Sequence, residues 1–344
     1  MSVRRVLCFC FIAFCLNNLS AQDPQFSQYY AAPMYLNPAM VGLNQKGSIG
    51  LNYRNQWPNI DANFETYSFY IDNHFEDQYS SVGLIFNTDR EGIVGLQSNT
   101  IGLQYAYQVQ LNNQWTFRPG IEVSYVMRDL NFSQLTFGDQ FDQNGLVNPV
   151  SAEAFNTGLK AKFFDLAFGG LFFNKDMWIG GAVHHTTEPN QSLTGDVAKL
   201  PRRISFHGGY KIPFTSINPA SASRNSGKER SITPTFNYRT QGDFDALDLG
   251  AFVTLEPLLL GTWYRGIPVR KVEGVRNSES IIFMVAVQQA RTTIGYSFDY
   301  TISDLGIGTG GAHEISFRYT FSLADPRKPP MSARRLNCPV PFLF

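Results

Sequence analysis

Apolar and polar side chains alternate along most of the chain, from about residue 48 to residue 323. In the stretch 100–110, Ile101, Leu103 and Tyr105 fall on one face, while Gly102 and Gln104 fall on the other. Successive side chains of a β-strand point to opposite faces, so this period of two predicts strands with one apolar and one polar face. Gly, Asn, Asp or Pro bounds each stretch, which places a turn between consecutive strands.

The pattern predicts an all-β fold, a transmembrane antiparallel β-barrel of about 14 strands with its apolar face toward lipid. A soluble β-sandwich also alternates, but the apolar face here is crowded with aromatic residues near the strand ends, which favours the barrel. The predicted strands lie near residues 47–57, 63–72, 80–88, 98–110, 115–128, 158–173, 176–187, 202–213, 230–241, 244–255, 258–265, 279–288, 291–302 and 312–323.

An even number of strands places both ends of the barrel sequence on one side of the membrane. Barrels of this class have short periplasmic turns and longer external loops. We therefore predict both termini in the periplasm of an outer-membrane protein. The short connections 111–114, 174–175, 256–257 and 289–290 are then periplasmic, and the long connections 129–157, 186–201 and 266–278 are external. The connection 213–229 is the exception to this rule, because it is long yet predicted to be periplasmic. The predicted external loop 129–157 is a candidate for contact with exported protein.

The first 21 residues have the organisation of a cleavable secretory signal peptide: Arg4 and Arg5, an apolar run of 11 residues, and Leu-Ser-Ala before Gln22. That run is too short to cross the bilayer as a helix. The predicted divisions are 1–21 as signal, 22–45 as a periplasmic or plug segment, 46–323 as the barrel, and 324–344 as a basic, proline-rich periplasmic tail.

Basic and acidic residues balance at 28 each, which argues against a nucleic-acid partner. Three of the four cysteines lie in the signal, so Cys338 has no partner for an internal disulfide. The charges at inward positions of the predicted strands have both signs. This mixture favours a wall of paired charges over an ion-selective channel.

Histidines are the remaining candidates for chemistry. His184 and His185 are adjacent on a strand and should point to opposite faces, so they do not predict a shared metal ion. Ser205 and His207 share a face, as in a hydrolase, but no third acidic member and no G-x-S-x-G motif accompany them. We predict no enzyme activity, no cofactor and no metal.

The two ends of the mature chain are candidates for partner contacts. Residues 22–41 are aromatic and contain three prolines, which predicts either a plug in the barrel or a strap that docks periplasmic partners. The tail 325–344 is basic and rich in proline, so it should be extended. Arg334, Arg335 and Cys338 in this tail are candidate partner-binding residues.

Several segments resemble the PorP/SprF family of outer-membrane proteins from the type IX secretion and gliding apparatus of Bacteroidetes. They are QDPQFSQYYAAPMYLNPAMVG near the start, FDLAFGGLFFNKDMWIGGAVHHTTEPNQSL, LPRRISFHGGYK, GTWYR, IGYSFDY, GGAHEISFRYTF and the closing RRLNCPVPFLF. The chain departs from the family pattern at Thr186 and Glu188. The residues that carry the resemblance include Asn37, Pro38, Gly42, Asp165, His185, Pro189, Asn190, Gln191, Tyr264, Arg265, Tyr296, Asp299, His313 and Glu314.

The resemblance implies an accessory component without catalysis that supports export or surface anchoring of adhesin-like cargo. Its implied partners are the C-terminal domain of a secreted adhesin, the periplasmic ring or lipoprotein components of the secretion system, and outer-membrane lipid. The alternative function is a general diffusion porin, which would need a continuous water-filled lumen.

Overall fold

The computed structural model describes residues 23–61, 63–92, 95–130, 140–142, 145–146, 159–193, 195–214, 229–272, 275–323 and 336–342. Among these residues no helix is long and apolar enough to cross a membrane. The strands are β1 (Gly47–Gln56), β2 (Phe64–Phe75), β3 (Ser80–Glu91), β4 (Leu96–Tyr107), β5 (Val109–Gln110), β6 (Thr116–Leu130), β7 (Phe141–Asp142), β8 (Gly145–Leu146), β9 (Lys160–Phe173), β10 (Met177–His184), β11 (Arg203–Tyr210), β12 (Ile212–Pro213), β13 (Arg230–Gln241), β14 (Phe244–Leu255), β15 (Leu258–Val272), β16 (Val275–Gln289), β17 (Thr292–Thr301) and β18 (Ala312–Phe321).

These strands form a closed antiparallel barrel. Each strand pairs with its neighbours along the chain, and β1 pairs with β18 from Gly47 opposite Phe321 to Gln56 opposite Ala312, which closes the sheet. The sheet contains 16 strand segments, of which β5 continues β4 and β12 continues β11. The predicted barrel of 14 strands is therefore confirmed.

The alternation places the apolar face outward, as predicted. Leu51, Leu103 and Phe283 are about half exposed on the outer surface, which suits contact with lipid. The polar residues between them face the lumen, where the described wall holds buried charges such as Arg54 and Arg118. A polar inner face needs partners or water. In this barrel the partners come from other wall residues and from two further segments of the chain.

One predicted connection is wrong. The stretch 266–278, expected to be an external loop, continues β15 and β16 as a paired hairpin in which Val272 lies opposite Val275. Register shifts between Arg265 and Gly266 and between Ile267 and Lys271 interrupt the ladder, and the pairing then continues to the end of the hairpin. We use "turn end" for the end with the tight connections at 76–79, 174–176 and 290–291, and "loop end" for the opposite end, which contains the connection 185–202.

The N-terminal segment 23–46 runs through the lumen from the loop end to the turn end. It contains a one-turn helix, α1 (Pro33–Leu36), and a 3₁₀ turn at Pro38–Met40. Asp23 contacts Arg203 and Gln241 at the loop end, whereas the backbone of Gly42 contacts Asp72 near the turn end. The segment therefore lies inside the barrel, and we call it the plug.

The C-terminal stretch 336–342 also lies in the lumen, in the half nearer the turn end. Leu336 accepts a hydrogen bond from the side chain of Gln45 through its carbonyl, and Arg318 donates to the carbonyl of Phe342. Together the two segments form one apolar cluster, which includes Tyr30, Met40, Cys338, Val340 and Phe342. Asp23 and Phe342 thus lie toward opposite ends of the barrel.

Candidate functional site

The Asn-Pro-Ala turn at the centre of the plug is fixed by contacts with backbone groups. Asn37 is fully buried, and its side-chain oxygen accepts from the backbone N–H of Ala39, which starts the 3₁₀ turn at Pro38. Its Nδ2 donates to the carbonyls of Gly170 and Gly181 at 3.1 and 3.2 Å, and lies 3.1 Å from Nε2 of His207. His207, considered above as part of a hydrolase site, is therefore a partner of the plug.

Two inward glycines leave the space that this turn occupies. A Cβ atom at Gly169 would overlap the side chain of Asn37, and one at Gly120 would overlap the backbone of Ala39. Gly42 has a φ of +61°, a conformation that glycine adopts without strain. Asn37, Pro38 and Gly42 are therefore positioned by close packing against the wall.

Arg118 ties the same turn to the wall by charge-assisted hydrogen bonds. It is fully buried, and its Nε and Nη2 donate to the carbonyls of Ala39 and Val41 at 3.2 and 2.5 Å. The guanidinium also donates to Gln108 and Ser81. A fork of five donors suits this role because it satisfies several carbonyls at once.

An ionic network lies further toward the loop end, where Ser27 of the plug meets the wall. Arg54 contacts Asp299 at 2.9 Å and Glu314 at 3.4 Å. The Ser27 hydroxyl donates to Asp299, and the backbone N–H groups of Ser27 and Gln28 donate to Glu314. The plug therefore supplies donors that a buried carboxylate cluster requires.

The network continues through Arg265, which is also fully buried. Its Nε donates to Asp248 at 2.7 Å, and its Nη1 lies 3.2 Å from Asp299. Arg239 contacts Asp248 on the other side at 3.3 Å. The mixed charges predicted for the inner face are thus paired across β13, β14, β15 and β17.

The first described residue of the plug is held in a latch at the loop end. Asp23 lies 2.6 Å from Nε2 of His185 and 3.1 Å from Arg203, and Nδ1 of His185 lies 2.6 Å from Asp165. Arg203 also donates to the hydroxyl of Tyr35 and stacks over its ring. We call Asp23, Asp165, His185 and Arg203 the latch.

Electrostatics in the latch favour the charged forms. Burial alone would lower the pKa of His185, but the carboxylates of Asp23 and Asp165 raise it to about 9. Burial opposes the charge of Asp23, yet His185 and Arg203 lower its pKa. The expectation that His184 and His185 point to opposite faces is wrong, because β10 ends at His184 and His185 has a φ of +57°, which turns its ring inward.

Pro189, Asn190 and Gln191 organise the loop between β10 and β11. The Asn190 side chain accepts from the backbone of Ser192 and Ala198, and the carbonyl of Pro189 accepts from Leu200. The side chain of Gln191 accepts from Arg128 of β6. These contacts fold the loop over the latch side of the mouth.

The remaining residues of the resemblance divide between the two faces. Tyr296 is exposed on the outer face, where its hydroxyl lies 2.8 Å from Nδ1 of His313, and the Tyr264 hydroxyl lies 2.9 Å from that of Ser278. Arg265, Asp299 and Glu314 face the lumen. One signature thus mixes an outer aromatic surface with an inner ionic network.

The tail residues have different outcomes. Arg334 and Arg335 lie outside the described residues. Cys338 is buried against the plug, where burial raises the pKa of its thiol. Residues 336–342, which belong to the tail predicted to be extended, lie in the lumen, where Val340 and Phe342 bury apolar surface. Most of the loop 129–157, which is predicted to be external, also lies outside the described residues.

Open space in the lumen is concentrated at the loop end. A cavity of ≈ 550 Å³ lies between the start of the plug and the wall, lined in part by Pro24, Phe26, Arg203 and Phe244. Two further cavities, of ≈ 270 and ≈ 340 Å³, adjoin it beside Gln25 and contain Trp57 in their walls.

The sequence analysis did not predict that Arg118 and two inward-facing glycines contact the plug. Arg118 is one of the charges at inward strand positions, and its bonds to Ala39 and Val41 join residues 77 or more positions apart. The available signal was the pair Gly120 and Gly169, two inward positions without side chains on adjacent strands.

Several solved structures resemble the chain at low sequence identity. The Ralstonia pickettii toluene transporter TbuX has a TM-score of 0.49 and 11% identity, with 85% of this chain and 94% of that chain covered. CdiB from Acinetobacter baumannii has a TM-score of 0.43 and 9% identity, with 80% of this chain covered. This chain spans only 60% of the length of CdiB. A Pseudomonas aeruginosa FadL homologue has a TM-score of 0.41 and 11% identity, with 84% of this chain and 93% of that chain covered. A search of curated proteins found no match.

The family comparison covers nearly the whole barrel and the plug. The profile of the type IX secretion system membrane protein PorP/SprF matches residues 18–319, which include the Asn-Pro-Ala turn, the latch and the ionic network. The chain is therefore a PorP/SprF family protein, an outer-membrane β-barrel component of type IX secretion.

Proposed function

We propose that this barrel supports surface anchoring of adhesin-like cargo by protein–protein docking, with cargo at the loop end and periplasmic components at the turn end. The filled lumen is the observation that carries the proposal. The plug and the stretch 336–342 bury an apolar cluster across the barrel toward the turn end, so a rigid scaffold suits this interior better than a pore for diffusion.

The two ends offer different surfaces for these partners. The loop end presents the connection 185–202 and the cavities beside Gln25. The turn end presents tight turns, and β18 ends there at Phe321. We propose that the loop end faces outside and that the tail contacts periplasmic ring or lipoprotein components, while the outer aromatic face contacts lipid.

Orientation is tested by labelling intact cells with a membrane-impermeant thiol reagent in a Cys338→Ser background. Gln25→Cys at the loop-end cavities should react in intact cells. Asn337→Cys, which is exposed near the turn end, should react only after the outer membrane is permeabilised. The reverse pattern would contradict the proposed orientation.

The docking function is tested by deleting the gene for this chain and measuring protease accessibility of adhesins on intact cells. Surface display should be lost and should return with the wild-type gene. Purified protein should show little conductance in a planar bilayer. Unchanged display would contradict the proposal, and porin-sized conductance with normal display would favour the general diffusion porin.

A further inference from the structure

We propose that the turn-end half of the lumen is a binding site for an extended, proline-containing apolar peptide, and that residues 336–342 are its exchangeable ligand. The segment leaves this site and returns to it while the barrel and the plug stay folded. This inference rests on the proposed contact of the tail with periplasmic components. It adds a means of control to that contact, because the terminal segment binds either the lumen or a partner.

The segment is not part of the barrel wall. The last strand, β18, ends at Phe321, and its pairing with β1 closes the sheet without residues 336–342. The main anchors of the plug are also independent of the segment, since Asn37 bonds to carbonyls of the wall and Arg118 bonds to carbonyls of the plug. Release of the segment therefore leaves the strand ladder and these anchors intact.

Two side-chain donors hold the backbone of the segment, one at each end. Nε2 of Gln45 donates to the carbonyl of Leu336 at 2.9 Å, and Nη1 of Arg318 donates to the carbonyl of Phe342 at 2.9 Å. Hydrogen bonds to the main chain hold an extended peptide whatever its side chains are, and pockets for the side chains provide specificity. The apolar contacts therefore decide which sequence fits this site.

Apolar side chains of the segment fill the site. Cys338, Val340 and Phe342 are 3%, 0% and 3% exposed, and they belong to the apolar cluster shared with the plug. Gly295 of β17 leaves space for the ring of Phe342, because a Cβ atom at Gly295 would lie 3.1 Å from that ring. The site therefore contains a pocket that matches an aromatic side chain at the end of the segment.

The backbone of the segment is suited to reversible binding. Pro339 and Pro341 have no N–H group, so the segment brings fewer donors that need a partner in an apolar lumen. Because proline also fixes φ, a segment of this kind is extended before it binds and loses less conformational entropy. Phe342 has a φ of +74°, which is unfavourable for a bulky residue, and release removes this strain.

The thiol of Cys338 reports the position of the segment in the full-length protein. Purified, detergent-solubilised protein should react with a thiol reagent at Cys338 while heat-modifiable migration on gels shows that the barrel stays folded. A large excess of a synthetic peptide of residues 336–344 carrying Cys338→Ser should raise the reaction rate, since the peptide fills the vacated site and delays return of the segment.

The matched control is Ile85→Cys in a Cys338→Ser background. Ile85 is 2% exposed on the inner wall and belongs to a separate apolar cluster, so a thiol there should not react in the folded barrel. A reaction at Cys338 that is no faster than in this control would overturn the proposal. A rate that the peptide does not change would overturn it as well.

Two variants within the segment test the aromatic pocket. Phe342→Ala should raise the reaction rate of Cys338 roughly tenfold or more, because it removes the largest buried side chain that holds the segment. Asn337→Ala, at an exposed position of the same segment, should leave the rate unchanged. Equal rates in the wild type and in Phe342→Ala would overturn the assignment of the pocket.

The exchangeable segment and the docking function fail in different ways. If Cys338 reacts as expected but cells without the gene display adhesins normally, the docking function is wrong while the peptide site stands. If deletion abolishes display and Cys338 is as unreactive as the control thiol, docking stands and the exchange is wrong.

Discussion

The two halves of the lumen hold the same plug by different physical means. Toward the turn end, Arg118 and Asn37 bond to backbone carbonyls and the apolar cluster excludes water. At the loop end, Asp23 is held by side-chain charges and borders open cavities. Packing and backbone bonds are insensitive to pH and salt, whereas ion pairs respond to both. The plug therefore has a fixed part and a responsive part.

The largest effect should come from removing the main polar anchor of the fixed part. Arg118→Met keeps most of the side-chain volume but leaves the carbonyls of Ala39 and Val41 without donors. Several buried groups without partners should cost roughly 4 kcal/mol or more in total. The temperature at which the barrel unfolds on heat-modifiable gels should fall clearly. Arg90→Met, at an exposed position of β3, should leave it unchanged, and an equal fall in both variants would contradict the assignment.

The latch should open at high pH. The pKa of His185 is raised to about 9 from 6.5, so its bridge to Asp23 is fully present below 6.5 and is lost as pH rises through 9. Since one pKa unit equals about 1.4 kcal/mol, this contribution is on the order of 3 kcal/mol. The ion pairs of Asp23 lower its pKa below the ordinary value of 3.8. Their contribution to the stability of the latch is complete at pH values above 3.8 and is lost as the pH falls through the lowered pKa.

A spin label on Gln25→Cys, in a Cys338→Ser background, reports this opening by electron paramagnetic resonance. The label should become more mobile as the pH is raised from neutral to above the pKa of His185, about 9. In His185→Gln, which has no titrating ring, its mobility should not change over the same interval. A pH-dependent change of equal size in His185→Gln would show that deprotonation of His185 does not open the latch.

A smaller effect should distinguish the two faces of one strand near the fixed part. Gly169→Val forces a side chain into the space of Asn37, which should cost about 1–3 kcal/mol. Gly170→Val points outward, where a new Cβ atom meets only the ring of Phe117 at 3.4 Å. Gly169→Val should lower the unfolding temperature and raise bilayer conductance by loosening the plug, and Gly170→Val should do neither. Equal behaviour would contradict the packing of the Asn-Pro-Ala turn.

The sequence predicts the barrel wall well and the lumen only in part. Strand positions follow from a local period of two, which is why the sequence predicts inward charges of both signs. Arg54, Asp248 and Asp299 are buried at such positions. The direction of the plug was not predicted, because it depends on contacts such as Asp23 with Gln241, 218 positions apart. His185 was misplaced because a single residue with positive φ ends the alternation. The burial of Val340 was hidden by a composition typical of an extended tail.

The covalent attachment of the plug has a mechanical consequence. Lys46 joins it directly to β1 at the turn end, and Asp23 at the loop end is held only by noncovalent contacts. Force applied to the plug from the turn end would therefore peel it out contact by contact, beginning at the anchored root. Force applied to Asp23 from the loop end would break the latch first and then the contacts of Ser27 and Asn37. It would reach the hydrogen-bonded seam between β1 and β18 only once the whole segment was extended.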